Sequence, residues 1–230
     1  MEARTLYVAL SDGAKIDVFR RENEGRISNE QVVAASEISE TKWEKLTEKL
    51  ASRLKENGHE AEAPMFERIC LIDDFTASGT TRIRYEEGKW SGKIPTFYSQ
   101  NANRIGKQIL ENCTLHVHHY LASNAATAIT YTAVEEYQKT ANSFQFILTF
   151  SAVLEKDVVI NKESDPAIVA LLKENYDPSI EDDIVGKDIW FGYKQGGLPV
   201  VLYHNTPNNS IALLWASSSN RWRAPNVRMK

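Results

Sequence analysis

Only two cysteines, Cys70 and Cys113, occur among the 230 residues. That excludes a disulfide framework and points to a reducing, cytoplasmic setting. No apolar run reaches the roughly 20 residues of a membrane-spanning helix. The first residues lack a secretion-signal pattern, so no membrane attachment is expected. Internal repeats and low-complexity tracts are missing too. An excess of positive charge is also absent. Lysine and arginine number 27 against 31 aspartates and glutamates, for a net charge of −4. This balance argues against a surface wholly coated by nucleic acid. What remains is an ordinary globular composition, 42% hydrophobic and 25% charged, long enough for one large domain or two small ones.

The most informative stretch runs from Ile69 to Thr81. Ile69, Cys70, Leu71 and Ile72 suit a buried central strand. Asp73 and Asp74 close that strand, and Phe75-Thr76-Ala77-Ser78-Gly79-Thr80-Thr81 follows as a loop of small, hydroxylated residues. In open α/β sheets ligands bind beyond the carboxyl ends of the strands, where these acids lie. Gly79 permits a tight turn and close backbone approach. Ala77 to Thr81 offer a row of amides and three hydroxyls, and a helix starting at Thr80 would add its positive end. No lysine follows Gly79, which excludes a P-loop. Carboxylates beside a phosphate make sense if they hold sugar hydroxyls or a metal. A ribose 5-phosphate combines the two demands. The competing reading is a buried strand ending in an Asp-initiated turn.

Hydrophobic strand, Asp73-Asp74 and the Ser78-Gly79-Thr80-Thr81 loop resemble the phosphoribosyl pyrophosphate motif of type I phosphoribosyltransferases. Leu10-Ser11-Asp12-Gly13 and the segment Leu198 to Ser210 extend the resemblance to one branch. That branch is the phosphoribosyltransferase-like effectors of bacterial conflict systems, including retron anti-phage operons. The resemblance implies an open, mainly parallel sheet with helices on both faces, a core over residues 1–160 and a C-terminal cap over 161–230. It implies displacement of pyrophosphate at the ribose C1 with Mg²⁺ bound through the ligand. Asp73 and Asp74 would hold the ribose hydroxyls, and Ala77, Ser78, Gly79, Thr80 and Thr81 the 5-phosphate. Phosphoribosyl pyrophosphate or a related nucleotide is the implied ligand. A reverse transcriptase with its RNA–DNA product, and a second copy of the chain, are the implied partners. The alternative is an inactive nucleotide-sensing or docking subunit of such a complex. Two adjacent carboxylates repel each other, so asparagine at either position is expected to leave stability unchanged or slightly higher.

Along the chain, Thr5 to Leu10 reads as a buried strand broken by Ser11-Asp12-Gly13. The family generally places a helix before this strand, so that element is expected to be missing or to come from another chain. Ser11, Asp12, Gly13 and Lys15 occupy the place of a pyrophosphate loop, with an ordinary Asp-Gly turn as the other reading. Ile16 to Arg21 alternates, which predicts a hairpin returning through Ile27 to Ala35. Arg20 and Arg21 would then serve pyrophosphate from a mobile loop. Thr41 and Glu44 fit a capping box, with Trp43, Leu46, Leu50 and Leu54 at helical spacing and Gly58 as the stop.

Beyond the motif, helices are expected from Thr80 and over Gln100 to Asn112. Strands are expected over Thr114–Leu121 and Phe144–Val153, with a helix between them over Ala125–Lys139. His116 and His118 share one strand face, but no third metal ligand is evident nearby, which favours half-buried strand histidines. Asp165-Pro166 opens a helix reaching Asn175. Val200 to Tyr203 reads as a strand, and the loop after it is dense in amides: His204, Asn205, Asn208 and Asn209 are candidates for base or acceptor recognition. Arg221, Trp222, Arg223, Arg228 and Lys230 form a basic tail suited to nucleic acid or, equally, to a solvated, disordered end.

Overall fold

A computed structural model describes residues 2–141, 143–181 and 186–215. The basic tail lies outside the described residues. The chain forms two compact units, Met1–Val153 and Leu154–Lys230.

The first unit is built on a five-stranded sheet. Its strands are β1 (Thr5–Ala9), β2 (Val32–Val33), β3 (Phe66–Thr76), β6 (Ile109–Ser123) and β7 (Phe144–Leu154), in spatial order β2-β1-β3-β6-β7. β1 runs parallel to β2 and β3, and β3 parallel to β6. Helices lie on both faces. On one face Leu6, Val8, Ile69, Leu71, Leu115 and Val117 pack against α2 (Glu40–Glu56), α3 (Lys93–Asn101) and α4 (Asn124–Gln138). On the other, Ala9 and Ile72 meet Ile16 and Phe19 of α1 (Ile16–Glu22). This is the α/β architecture that alternating strand and helix patterns dictate.

α2 follows its periodicity: Trp43, Leu46, Leu50 and Leu54 are all buried. Its cap is not Thr41 but Ser39, whose hydroxyl accepts from the Lys42 amide, so the helix begins one residue ahead of Thr41. At the other end Gly58, at φ +77, donates to Lys55 O while His59 donates to Leu54 O, a Schellman stop. Inside the core the Trp43 indole donates to Asn101 Oδ1 at 3.0 Å, with Asn101 itself 2% exposed. Trp43→Phe is expected to cost about 2–3 kcal/mol in urea denaturation, from lost packing plus a buried amide left without its donor. A loss below about 0.5 kcal/mol would show that the amide finds a new partner.

Several sequence expectations are corrected. Ile16 to Glu22 is a helix, not the first arm of a hairpin. Ile16 and Phe19 are three apart and both pack on the sheet, with Phe19 5.0 Å from Tyr7, while Val18 is exposed. Of the expected return strand, Val32 and Val33 pair with β1, and Ile27 makes an isolated bridge with Glu24. β3 does not close at the two aspartates but continues to Thr76.

No helix starts at Thr80. The hairpin β4 (Arg84–Glu86) and β5 (Lys89–Ser91) comes next, turning through Glu87 and Gly88, both at positive φ, with Tyr85 against Trp90. Residues 109–112 belong to β6 rather than to a helix.

The second unit holds α5 (Pro166–Glu174), capped by Asp165 as expected, and α6 (Ala212–Trp215). Its core is Leu172, Phe191 and Ile211. Val200 to Tyr203 is not a strand. Val201 and Tyr203 are exposed, and among the described residues the segment makes no strand pairing, the nearest being an isolated bridge between Leu198 and Ser210.

Candidate functional site

The carboxyl ends of β1 and β3 lie side by side, with Ala9 opposite Ile72 and the Leu10 amide donating to Ile72 O at 2.8 Å. The Ser11–Lys15 loop is therefore held next to Asp73. Ser11 Oγ donates to Asp73 Oδ1, and the Asp74 amide donates to the same oxygen at 3.1 Å. Asp73 Oδ2 lies 2.6 Å from Arg82 Nη2 and 3.3 Å from Lys93 Nζ. The Arg82 guanidinium is fixed on its other sides. It donates from Nη2 to Phe75 O at 2.6 Å and from Nε to His119 Nε2 at 2.9 Å. His119 is the β6 partner of Asp73 in the parallel register.

Electrostatics follow from this packing. Burial raises the Asp73 carboxyl, but Arg82, Lys93 and the Ser11 hydroxyl outweigh it and hold the group below its ordinary value. Burial, then the Arg82 charge, pushes His119 down to about 3, so it is neutral and accepts from Arg82. That arrangement leaves Nδ1 buried, without a partner among the described residues, and the ring stacks on Phe150 at 5.7 Å. Burial and Arg82 lower Lys93 despite Asp73. Asp74, half-buried, points to the opposite face. There its charge adds to burial in raising the Tyr120 phenol.

The loop after β3 packs against α4, not against a helix of its own. Ser123, the cap of α4, donates to Ala77 O at 2.6 Å. Gly79, at φ +73, lies so close to α4 that a Cβ would meet Thr130 Oγ1 at 2.8 Å and Ala126 O at 3.1 Å. Ser78 Oγ and Thr80 Oγ1 are 2.9 Å apart. Among the described residues, the amides of Ser78, Gly79, Thr80 and Thr81 donate to no backbone carbonyl. The Gly79 and Thr81 carbonyls, by contrast, accept from Arg82 and Lys93.

A model of the PRTase-CE family, a phosphoribosyltransferase-like family, matches residues 17–227. The chain belongs to the PRTase-CE family. It matches no curated protein and no solved structure. The match to PRTase-CE takes in β3, the Ala77–Thr81 loop, Arg82, Lys93 and His119, while β1 and the Ser11–Lys15 loop precede it.

The remaining candidates are dispersed. Asp12 and Gly13 lie in the 3-10 turn Asp12–Ala14, and Lys15 is the left-handed residue, φ 46, that leads into α1. Arg20 and Arg21 sit in the last turn of α1 with their side chains outward, and Arg21 pairs with Asp17 at 3.8 Å. His116 and His118 share the Thr149 hydroxyl, each at 2.7 Å, as half-buried strand histidines do. Among the described residues no group of three or more His, Cys, Asp or Glu is placed to hold a metal.

In the second unit, Tyr193 is bracketed by two asparagines. Its amide donates to Asn208 O at 2.7 Å, and its carbonyl accepts from Asn209 Nδ2 at 3.1 Å. Asn205 Oδ1 and Thr206 Oγ1 are buried without partners among the described residues, and His204 has an interaction of its own. Arg82, Lys93 and His119 were not legible as site residues. Arg82 falls where a helix was expected, and His119 faces away from the two histidines that drew notice.

Proposed function

We propose that this chain binds a ribose 5-phosphate unit and acts as a phosphoribosyltransferase-like enzyme on a phosphoribosyl pyrophosphate-type ligand. The observation that carries the reading is the Ser78–Thr81 loop. Four amides with no backbone acceptor among the described residues lie at the carboxyl end of β3, the central strand that itself carries both carboxylates. They would receive the 5-phosphate, and the Asp73-Asp74 end of β3 the ribose. Ser11 to Lys15, tethered to Asp73, would receive pyrophosphate.

The donor set does not build a protein-held Mg²⁺ site. Both Asp73 oxygens already face Ser11, Arg82 and Lys93, and Asp74 adds a single carboxylate. Magnesium enters the proposal only as a companion of the ligand's phosphate oxygens. An effector role in anti-phage defence, held in check by a reverse transcriptase and its RNA–DNA product, is the biological setting we propose. Self-association belongs to the same proposal. The pairing of Asp73 with two cations favours a second reading, a nucleotide-sensing or docking subunit without turnover.

Calorimetry with phosphoribosyl pyrophosphate and with ribose 5-phosphate, with and without Mg²⁺, tests the site. Both are expected to bind and to shift the Ser78–Thr81 amide resonances. Pyrophosphate release supports the enzyme, and saturable binding without release supports the sensor. No binding of either ligand would remove both readings.

A further inference from the structure

We propose that Asp73 is not a ligand group. It is a positioning residue that ties the loop after β1 to the segment after β3, leaving Asp74 as the one carboxylate of the pair that meets a ligand. This deepens the phosphoribosyl reading and rests on it.

Strand geometry is the first ground. Adjacent residues of β3 point to opposite faces, so Asp73 and Asp74 cannot both lean over one sugar from the same side. The Asp73 side chain is fully buried on the face of α2, α3 and α4, whereas Asp74 is half-exposed on the other.

Occupancy is the second ground. An ionised carboxylate offers about four acceptor positions. Four donors already meet Asp73: the Ser11 hydroxyl, the Asp74 amide, Arg82 Nη2 and Lys93 Nζ. A ribose hydroxyl would have to displace one of them. Arg82 cannot swing away, because Phe75 O holds the same Nη2 and His119 Nε2 holds Nε. Displacing Lys93 would strand a half-buried cation.

Provenance is the third ground. The groups meeting at Asp73 and its Arg82 partner come from the loop after β1, the turn after β3, the first residue of α3 and the middle of β6. A side chain that gathers three of these segments itself, and the fourth through Arg82, fixes where their backbones stand. The Ser11 bond is the only link in this set that reaches the candidate pyrophosphate loop, so cutting it should loosen that loop alone.

Four variants separate the roles. Asp73→Asn leaves Arg82 and Lys93 facing a neutral amide, and its melting temperature is expected to fall by about 10 °C. Adding Lys93→Met removes one unpaired cation and should recover part of that loss. Asp74→Asn should melt like the parent and lose ribose 5-phosphate binding. Ser11→Ala should weaken inorganic pyrophosphate binding roughly tenfold, the size of one charged hydrogen bond, with ribose 5-phosphate affinity unchanged. A residue that only supported the fold would not split the two ligands in this way.

The inference is overturned if Asp73→Asn melts like the parent and loses ribose 5-phosphate as Asp74→Asn does. It is equally overturned if Ser11→Ala weakens both ligands or neither. If the parent protein binds neither ligand, the phosphoribosyl reading falls. The tie is then decided by melting alone: a stable Asp73→Asn overturns it, and a loss recovered by Lys93→Met upholds it.

Discussion

Gly92→Ala is expected to lower stability by more than about 3 kcal/mol and to abolish ribose 5-phosphate binding. Gly92 has φ 110 and ψ 176, a region essentially confined to glycine. A Cβ there would stand 2.6 Å from Arg82 O and 2.8 Å from Arg82 C. Those are backbone atoms, with no flexible side chain to yield. They are also pinned from both sides. The Lys93 amide donates to Thr81 O at 3.2 Å and the Ile94 amide to Arg82 O at 3.0 Å, docking α3 against the turn. Relieving the clash means separating the two segments, which pulls both cations from Asp73. Gly88 is the internal control. It has φ +78 but open space around its Cβ position, so Gly88→Ala should cost only about 1–2 kcal/mol and leave binding intact. Guanidinium denaturation of both variants measures the difference. Equal losses would mean that the contact between Gly92 and Arg82 carries no special weight.

Acid should destabilise this protein well above the range in which carboxylates titrate. His119 has an ordinary value of 6.5 and is held at about 3 by burial and by the Arg82 guanidinium. The charged or titratable groups around it are Arg82, Asp73, His118 and Lys93. The folded state resists a proton that the unfolded chain takes up. Stability is thus complete above 6.5 and is lost as pH falls toward 3. From pH 7 to pH 5 the loss attributable to this ring is about 2 kcal/mol, and it grows to roughly 4 kcal/mol near pH 3. Asp73, whose folded value is lowered, adds a further loss below its ordinary 3.8. His119→Gln supplies an amide oxygen to accept from Arg82 and cannot titrate. Its stability between pH 7 and pH 5 should be flatter than the parent's by about that 2 kcal/mol. Parallel curves would mean that protonation elsewhere governs acid unfolding.

The central architecture was legible because it rests on runs and periods. Ile69 to Ile72 and Thr5 to Ala9 are apolar on both faces, and Trp43, Leu46, Leu50 and Leu54 keep a 3.6-residue period. Short elements were illegible for the same reason. Ile16-Asp17-Val18-Phe19 satisfies a strand period and a helix period equally, and only the packing of Phe19 on Tyr7 decides between them. The turn at Glu87 and Gly88 lacks the Asn-Gly or Asp-Gly pair that marks a hairpin, and the hydroxyl-rich run before it suggested a helix start. In the site, Asp73, Asp74 and the Ser78–Thr81 loop announced themselves by spacing. Arg82, Lys93 and His119 lie up to 46 residues from Asp73 along the chain and meet it only through the parallel register of β3 with β6 and the docking of α3. No local pattern encodes such meetings.

The placement of β1 has a consequence for how the chain is made. β1 is synthesised before both its partners, yet it lies inside the sheet, between β2 and β3, and Leu6 waits for Ile69. β3 in turn waits for β6, where Leu71 meets Val117. Parallel partners so distant cannot zip as hairpins do, and closing each loop costs chain entropy before any contact repays it. Synthesis in chain order therefore exposes Leu6, Val8, Ile69 and Leu71 until β6 has emerged. During that interval this apolar surface has no strand to cover it, and the Ser11–Asp73 contact cannot yet exist.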